Sequence, residues 1–171
     1  MNTIASGSYN DGEYKPVNSD DFAKNVEIDS NSYCTQLWDT PCESDEKMSS
    51  TTYDSTDIFV ICFSLVSKET LDNASKWVSE IRSYCPQVLF ILCGTKLEVR
   101  DHFEDYKDEN SPEDFAPISD DEVQKVAQEL GAAAFINTSA REMTNLKELL
   151  EAAVRAVIQK PTQSSNKCAI L

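Results

Sequence analysis

The last four residues carry the clearest chemical signature in the chain. Cys168-Ala169-Ile170-Leu171 is a C-a-a-X box, in which the cysteine accepts a prenyl chain and a terminal Leu favours geranylgeranyl over farnesyl. Only Lys160 and Lys167 lie nearby as basic residues, and no second cysteine is close. A single lipid anchors reversibly, and anionic leaflets repel an acidic body. The expected location is the cytoplasm, with reversible attachment to the cytoplasmic face of the plasma membrane or an internal membrane. The remaining cysteines, Cys34, Cys42, Cys62, Cys85 and Cys93, form no C-x-x-C pair and have no histidine neighbour, which argues against zinc or a redox motif. Most of them are expected to be small buried hydrophobes. The single histidine, His102, is expected to be solvated rather than a metal ligand. No Gly-x-x-x-x-Gly-Lys-Ser/Thr occurs, and the four glycines leave few places for backbone to wrap a phosphate.

The 171 residues suffice for one domain with a full core. Thirty acidic against fifteen basic residues give a net charge of −15, which opposes nucleic acid and suits a basic protein partner. No apolar run reaches membrane-spanning length and no leader pattern is present, so an intracellular protein is expected. Residues 1–11 are polar, lack periodicity and read as disordered. Residues 22–29 and 33–39 read as strands joined by Ser30-Asn31-Ser32. The apolar run 57–65 suits a strand covered on both faces of a parallel sheet, and 88–93 and 133–138 read as further strands. A helix capped by Ser67 would carry Leu71, Ala74, Trp77, Val78 and Ile81 on one face. A second begins at the Ser119/Glu122 capping box and stops at Gly131, and a third carries Leu146, Leu149, Leu150, Val154, Val157 and Ile158. Both tryptophans, Trp38 and Trp77, are expected in packing roles. The alternation gives a doubly wound α/β fold.

Several stretches together resemble the Rho/Rac family of small GTPases. They are Gly12-Glu13-Tyr14-Lys15-Pro16, Gln36-Leu37-Trp38-Asp39-Thr40, Ile61-Cys62-Phe63-Ser64-Leu65-Val66-Ser67, Lys76-Trp77-Val78-Ser79-Glu80-Ile81 and Gly94-Thr95-Lys96-Leu97-Glu98-Val99-Arg100-Asp101. The resemblance implies a Ras-like α/β fold, a doubly wound, mostly parallel sheet with helices on both faces. It places a small GTPase domain at 12–159, an insert region at 102–117 and a prenylated tail at 160–171. It implies nucleotide-binding positions at Asp39, Thr40, Thr95, Lys96, Glu98, Ser139 and Ala140. Partners implied are the membrane, through the prenyl group at Cys168, and protein effectors or regulators of Rho-type GTPases, met by residues 14–22 and 45–53.

The departures from the family pattern fall on its chemistry. The first strand, P-loop and first helix, about twenty residues, are missing from their place before Gly12-Glu13-Tyr14. Val17 stands at the switch threonine position and cannot ligate Mg²⁺. Pro41-Cys42 replaces Ala-Gly, losing the residue that lets backbone approach the γ-phosphate, and Glu43 replaces the catalytic glutamine with like charge. Glu98 replaces the aspartate that pairs with guanine, adding a methylene. A P-loop supplies several charge-assisted hydrogen bonds of roughly 1.5–3 kcal/mol each. Its loss removes on the order of 7 kcal/mol, or about five decades of affinity. The expectation is therefore a pseudo-GTPase with no intact catalytic or metal residue and no cofactor. Two alternatives stand beside it: a divergent switch that still cycles GTP and GDP with Mg²⁺, and a decayed paralogue. The family's first strand lies between the strand ending at Asp39 and the one ending near Leu65, so these two must either pair directly or enclose a filler.

Overall fold

Residues 21–39 alternate apolar and polar, and they fold as two antiparallel strands, β1 (Asp21–Ile28) and β2 (Asn31–Trp38). The computed structural model describes residues 2–9, 21–39, 53 and 55–159. The turn is the two-residue Asp29-Ser30, both at positive φ (49° and 68°), rather than the expected Ser30-Asn31-Ser32. Positive φ at both central residues matches the right-handed strand twist, and Asp tolerates that conformation better than most residues.

Three parallel strands form a separate sheet in the order β3-β4-β5: β3 (Ile58–Ser64), β4 (Leu89–Thr95) and β5 (Ala134–Asn137). Helices cover both faces, as expected for the doubly wound arrangement. On one face Ile61, Phe63, Phe90 and Leu92 pack against α2 (Lys68–Asp72), α3 (Ala74–Tyr84) and α6 (Asp120–Leu130) through Leu71, Val78, Ile81, Val123 and Ala127. A short helix, α4 (Leu97–Asp101), precedes the region expected as the insert, 102–117, which opens with the short helix α5 (Phe103–Tyr106) and runs on without helix over residues 107–117. Half of the capping box forms: Ser119 Oγ accepts from the Glu122 amide at 3.3 Å, while the Glu122 carboxylate pairs with Lys68 at 2.6 Å; Gly131 ends the helix at φ 73°.

The first long helix differs from its expectation in two ways. It breaks at Asn73 into α2 and α3, and Ser67 makes no capping bond because its hydroxyl donates to Asp114 instead. Trp77 is exposed, since the buried stripe of α3 runs through Ala74, Val78 and Ile81 and leaves Trp77 on its border. Trp38 is exposed as well, at the end of β2.

The opposite face is covered more sparsely. Helix α7 (Leu146–Ile158) lays Leu149, Ala152 and Ala153 on Ile91, Cys93 and Ile136, while its Leu150 and Val154 hold Val26 and Ile28 of the hairpin. Ile158, expected on the buried stripe, is exposed at the helix end. Residues 2–6, read from sequence as frayed, form the short helix α1 (Asn2–Ser6). The reason is Ile4, which packs on both the hairpin and the three-stranded sheet, and whose carbonyl accepts from Lys24 Nζ at 2.7 Å. Arg155 closes the link with two bonds to Asp29, 3.0 and 3.1 Å, and holds that carboxyl below its ordinary range.

β2 and β3 do not pair, and among the described residues no strand lies between them. The strand read as covered on both faces is therefore half bare: Val60 and Cys62 are exposed while Ile61 and Phe63 are buried. The cysteines correct the expectation of burial likewise: among the described residues Cys34 and Cys62 are exposed, Cys85 is partly buried and only Cys93 is fully inside.

Tyr53, placed by the resemblance on an effector surface, is instead 3 % exposed within the core. Its ring stacks on Tyr84 at 4.4 Å, its hydroxyl donates to Glu80 at 3.0 Å, and its carbonyl accepts from the Cys85 thiol. Burial and then the Glu80 carboxylate raise its pKa to about 12. A raised acid pKa means that the stability tied to the neutral phenol is complete below pH 10 and is lost as pH rises through about 12. Chemical denaturation at pH 9 and pH 11.5 should show a steeper alkaline loss for the unsubstituted chain than for Tyr53→Phe. Equal slopes would mean that this phenol ionises normally.

Candidate nucleotide-base site

In a doubly wound sheet, ligands sit at the carboxyl ends of the strands. Five of the residues singled out in the sequence meet there. Thr95 ends β4, Lys96 and Glu98 follow it, and Ser139 and Ala140 follow β5. The loops that hold them are cross-braced: Leu65 donates to the Thr95 carbonyl, Leu97 to the Thr138 carbonyl, and Thr138 to the Gly94 carbonyl. Lys96 sits at φ 62°, ψ 42°, so the chain turns sharply between β4 and α4 and aims Glu98 inward. Thr95 Oγ1 spends its proton on the Phe63 carbonyl at 2.8 Å, a bracing bond between strands.

Ser139 is fully buried. Its amide and carbonyl bond Thr144 in both directions, and its Oγ accepts from the Glu142 amide at 2.9 Å, which closes residues 139–144 into a tight loop. Asn145, at positive φ, donates to the Asn137 carbonyl at 2.8 Å and fixes the start of α7 to the end of β5. Asp120 accepts from both Arg100 and Asn137, tying α6 to the same corner.

Two buried side-chain oxygens among the described residues lack a hydrogen-bond partner, Glu98 Oε2 and Asn137 Oδ1. Both belong to this corner. Burying an acceptor unpaired costs roughly 1–3 kcal/mol, so a corner holding two of them suits a ligand that brings N–H donors. The adjacent N–H groups of a guanine edge are such donors. Glu98, one of the base positions implied by the resemblance, thus keeps a buried acceptor oxygen unpaired, with Lys96 two residues before it. Asn137 was not singled out from the sequence. It carries no motif, and its place became visible only when β5 was paired with β4.

Asp39 lies elsewhere, half-buried just past the end of β2 on the separate hairpin, and its charge acts on the Cys62 thiol. Val17, Thr40, Glu43 and Cys168 lie outside the described residues. No group of three or more His, Cys, Asp or Glu able to hold a metal occurs among the described residues. No helix among them is long and apolar enough to cross a membrane. Compared with models of known families, residues 2–159 match that of the Ras family.

Proposed function

The chain belongs to the Ras family, and from that premise we propose that it is a Rho-like pseudo-GTPase, a signalling protein that acts by binding other proteins. The observation that carries this reading is the separation of the two sheets. Asp39, the position that would reach Mg²⁺, stands on the hairpin, while Thr95, Lys96, Glu98, Ser139 and Ala140 stand at the ends of the three-stranded sheet, and among the described residues no strand pairing joins the two, the hairpin being held through side chains of α1 and α7. A nucleotide spans base and phosphates, so its two halves need one rigid frame. Val17, Pro41, Cys42 and Glu43 add support, because each is chemically wrong for the phosphate side whatever precedes the chain. The protein chemistry left to it is recognition of effectors or regulators of Rho-type GTPases, in signalling to the actin cytoskeleton.

Isothermal titration of nucleotide-stripped protein with GTP and GDP in Mg²⁺ should give no binding, and chromatography of the purified protein should find no stoichiometric guanine nucleotide. Tight binding by either nucleotide overturns the proposal. It would favour a second reading, a divergent switch that still cycles GTP and GDP, to which the unpaired Glu98 and Asn137 oxygens lend specific support.

Lipidation at Cys168 completes the proposal. A geranylgeranyl chain there would hold the protein reversibly at the cytoplasmic face of a membrane. Fractionation of cells expressing Cys168→Ser should move the protein wholly to the soluble fraction. Retention at membranes would place the anchor elsewhere.

A further inference from the structure

The parallel pairing of β3 with β4 sets Cys62 directly opposite Cys93. Both side chains stand on the sheet face that α7 covers in part. Cys93 lies under Leu149 beside Ile91, and Cys62 alternates with Ile61 and Phe63, which point to the other face. Cys93 is 2 % exposed, whereas Cys62 reaches solvent. Neighbouring strands lie about 4.8 Å apart, inside the range of roughly 4.4–6.8 Å that a disulfide requires between Cα atoms. Thr138 Oγ1 lies 3.5 Å from Cys93 Sγ. The neighbouring Cys93 thiol holds Cys62 above its ordinary value. An exposed cysteine thus sits directly opposite a buried one.

We propose that Cys62 and Cys93 form a two-thiol modification site for small disulfides, Cys62 taking the adduct and Cys93 resolving it. Cys62 loses its proton and attacks one sulfur of the reagent. The reagent's S–S bond breaks, a mixed disulfide forms on Cys62, and the first thiolate leaves and takes up a proton. Cys93 then loses its proton and attacks Cys62 Sγ, the mixed disulfide breaks, and the second small thiolate leaves and takes up a proton. In sum two protein thiols are oxidised by two electrons and one reagent disulfide is reduced to two thiols. The first step is slow, because Cys62 holds its proton. The second is intramolecular and fast, so the mixed disulfide on Cys62 does not accumulate.

The test treats the full folded chain with hydroxyethyl disulfide, a neutral reagent that the nearby Asp39 does not repel, followed by peptide mapping with mass spectrometry. The unsubstituted chain should yield a Cys62–Cys93 cross-linked peptide with no retained adduct on Cys62. Cys93→Ser should keep the hydroxyethyl adduct on Cys62 and lose the cross-link. Three results overturn the proposal: an adduct that persists on Cys62 with Cys93 intact, a Cys62 left untouched while exposed Cys34 reacts, or equal cross-linking in urea-unfolded chain. The mapping of the unsubstituted chain decides the matter even if the variant folds poorly.

Discussion

Gly94→Ala should melt on the order of 5–10 °C below the unsubstituted chain, for a loss of roughly 2–3 kcal/mol. Gly94 lies in β4 where the sheet meets the base corner. A Cβ there would stand 2.4 Å from Asn137 Oδ1 and 2.8 and 2.9 Å from the Cδ2 and Cγ of Leu65. Neither neighbour has room to retreat. Leu65 is completely buried, and Asn137 is held through its amide by Asp120 and through its carbonyl by Asn145. Differential scanning calorimetry measures the effect directly, and an unchanged midpoint would mean that Asn137 can swing aside. Because Asn137 is also one of the two unpaired acceptors, the same substitution would disturb any ligand held at that corner.

Leu150→Ala should cost about 2–4 kcal/mol and should act unevenly. Leu150 is 7 % exposed and packs with Val154 against Val26 and Ile28, in the small cluster that docks the hairpin on α7. The larger cluster, on the far face of the three-stranded sheet, includes no residue of α7. Hydrogen exchange should therefore show the amides of β1 and β2 losing most of their protection while Leu92 in β4 keeps its own. A uniform loss across both sheets would mean that they unfold as one unit.

The elements were legible where the cause of structure is local. The strand from Ile58, the helix from Asp120 with its Ser119 cap and Gly131 stop, and the apolar stripe of α7 each announce themselves through period, cap or breaker. The turn at Asp29-Ser30 did not, since neither residue is the glycine that such a turn usually shows. The break at Asn73 carries no Gly or Pro either. Exposure of Val60 and Cys62 has a wholly non-local cause, because an apolar strand looks the same in sequence whether or not something covers its second face. The candidate site was visible only through resemblance. Thr95, Lys96 and Glu98 are ordinary polar residues until β4 and β5 are set side by side, and Asn137 and its network with Asp120 and Arg100 follow from that pairing alone.

The order β3-β4-β5 has one more consequence, for concentration rather than for stability. β3 is the outermost strand of its sheet, and its seven residues, Ile58-Phe59-Val60-Ile61-Cys62-Phe63-Ser64, include no charge, no proline and no glycine. Charges, prolines and bulges are the devices by which sheet edges avoid one another. Among the described residues, each molecule thus carries a row of backbone donors and acceptors on an apolar ribbon that no further strand covers. The net charge of −15 keeps whole molecules apart at low ionic strength. Salt removes that protection first, so the protein's solubility should be set by ionic strength before its fold is touched.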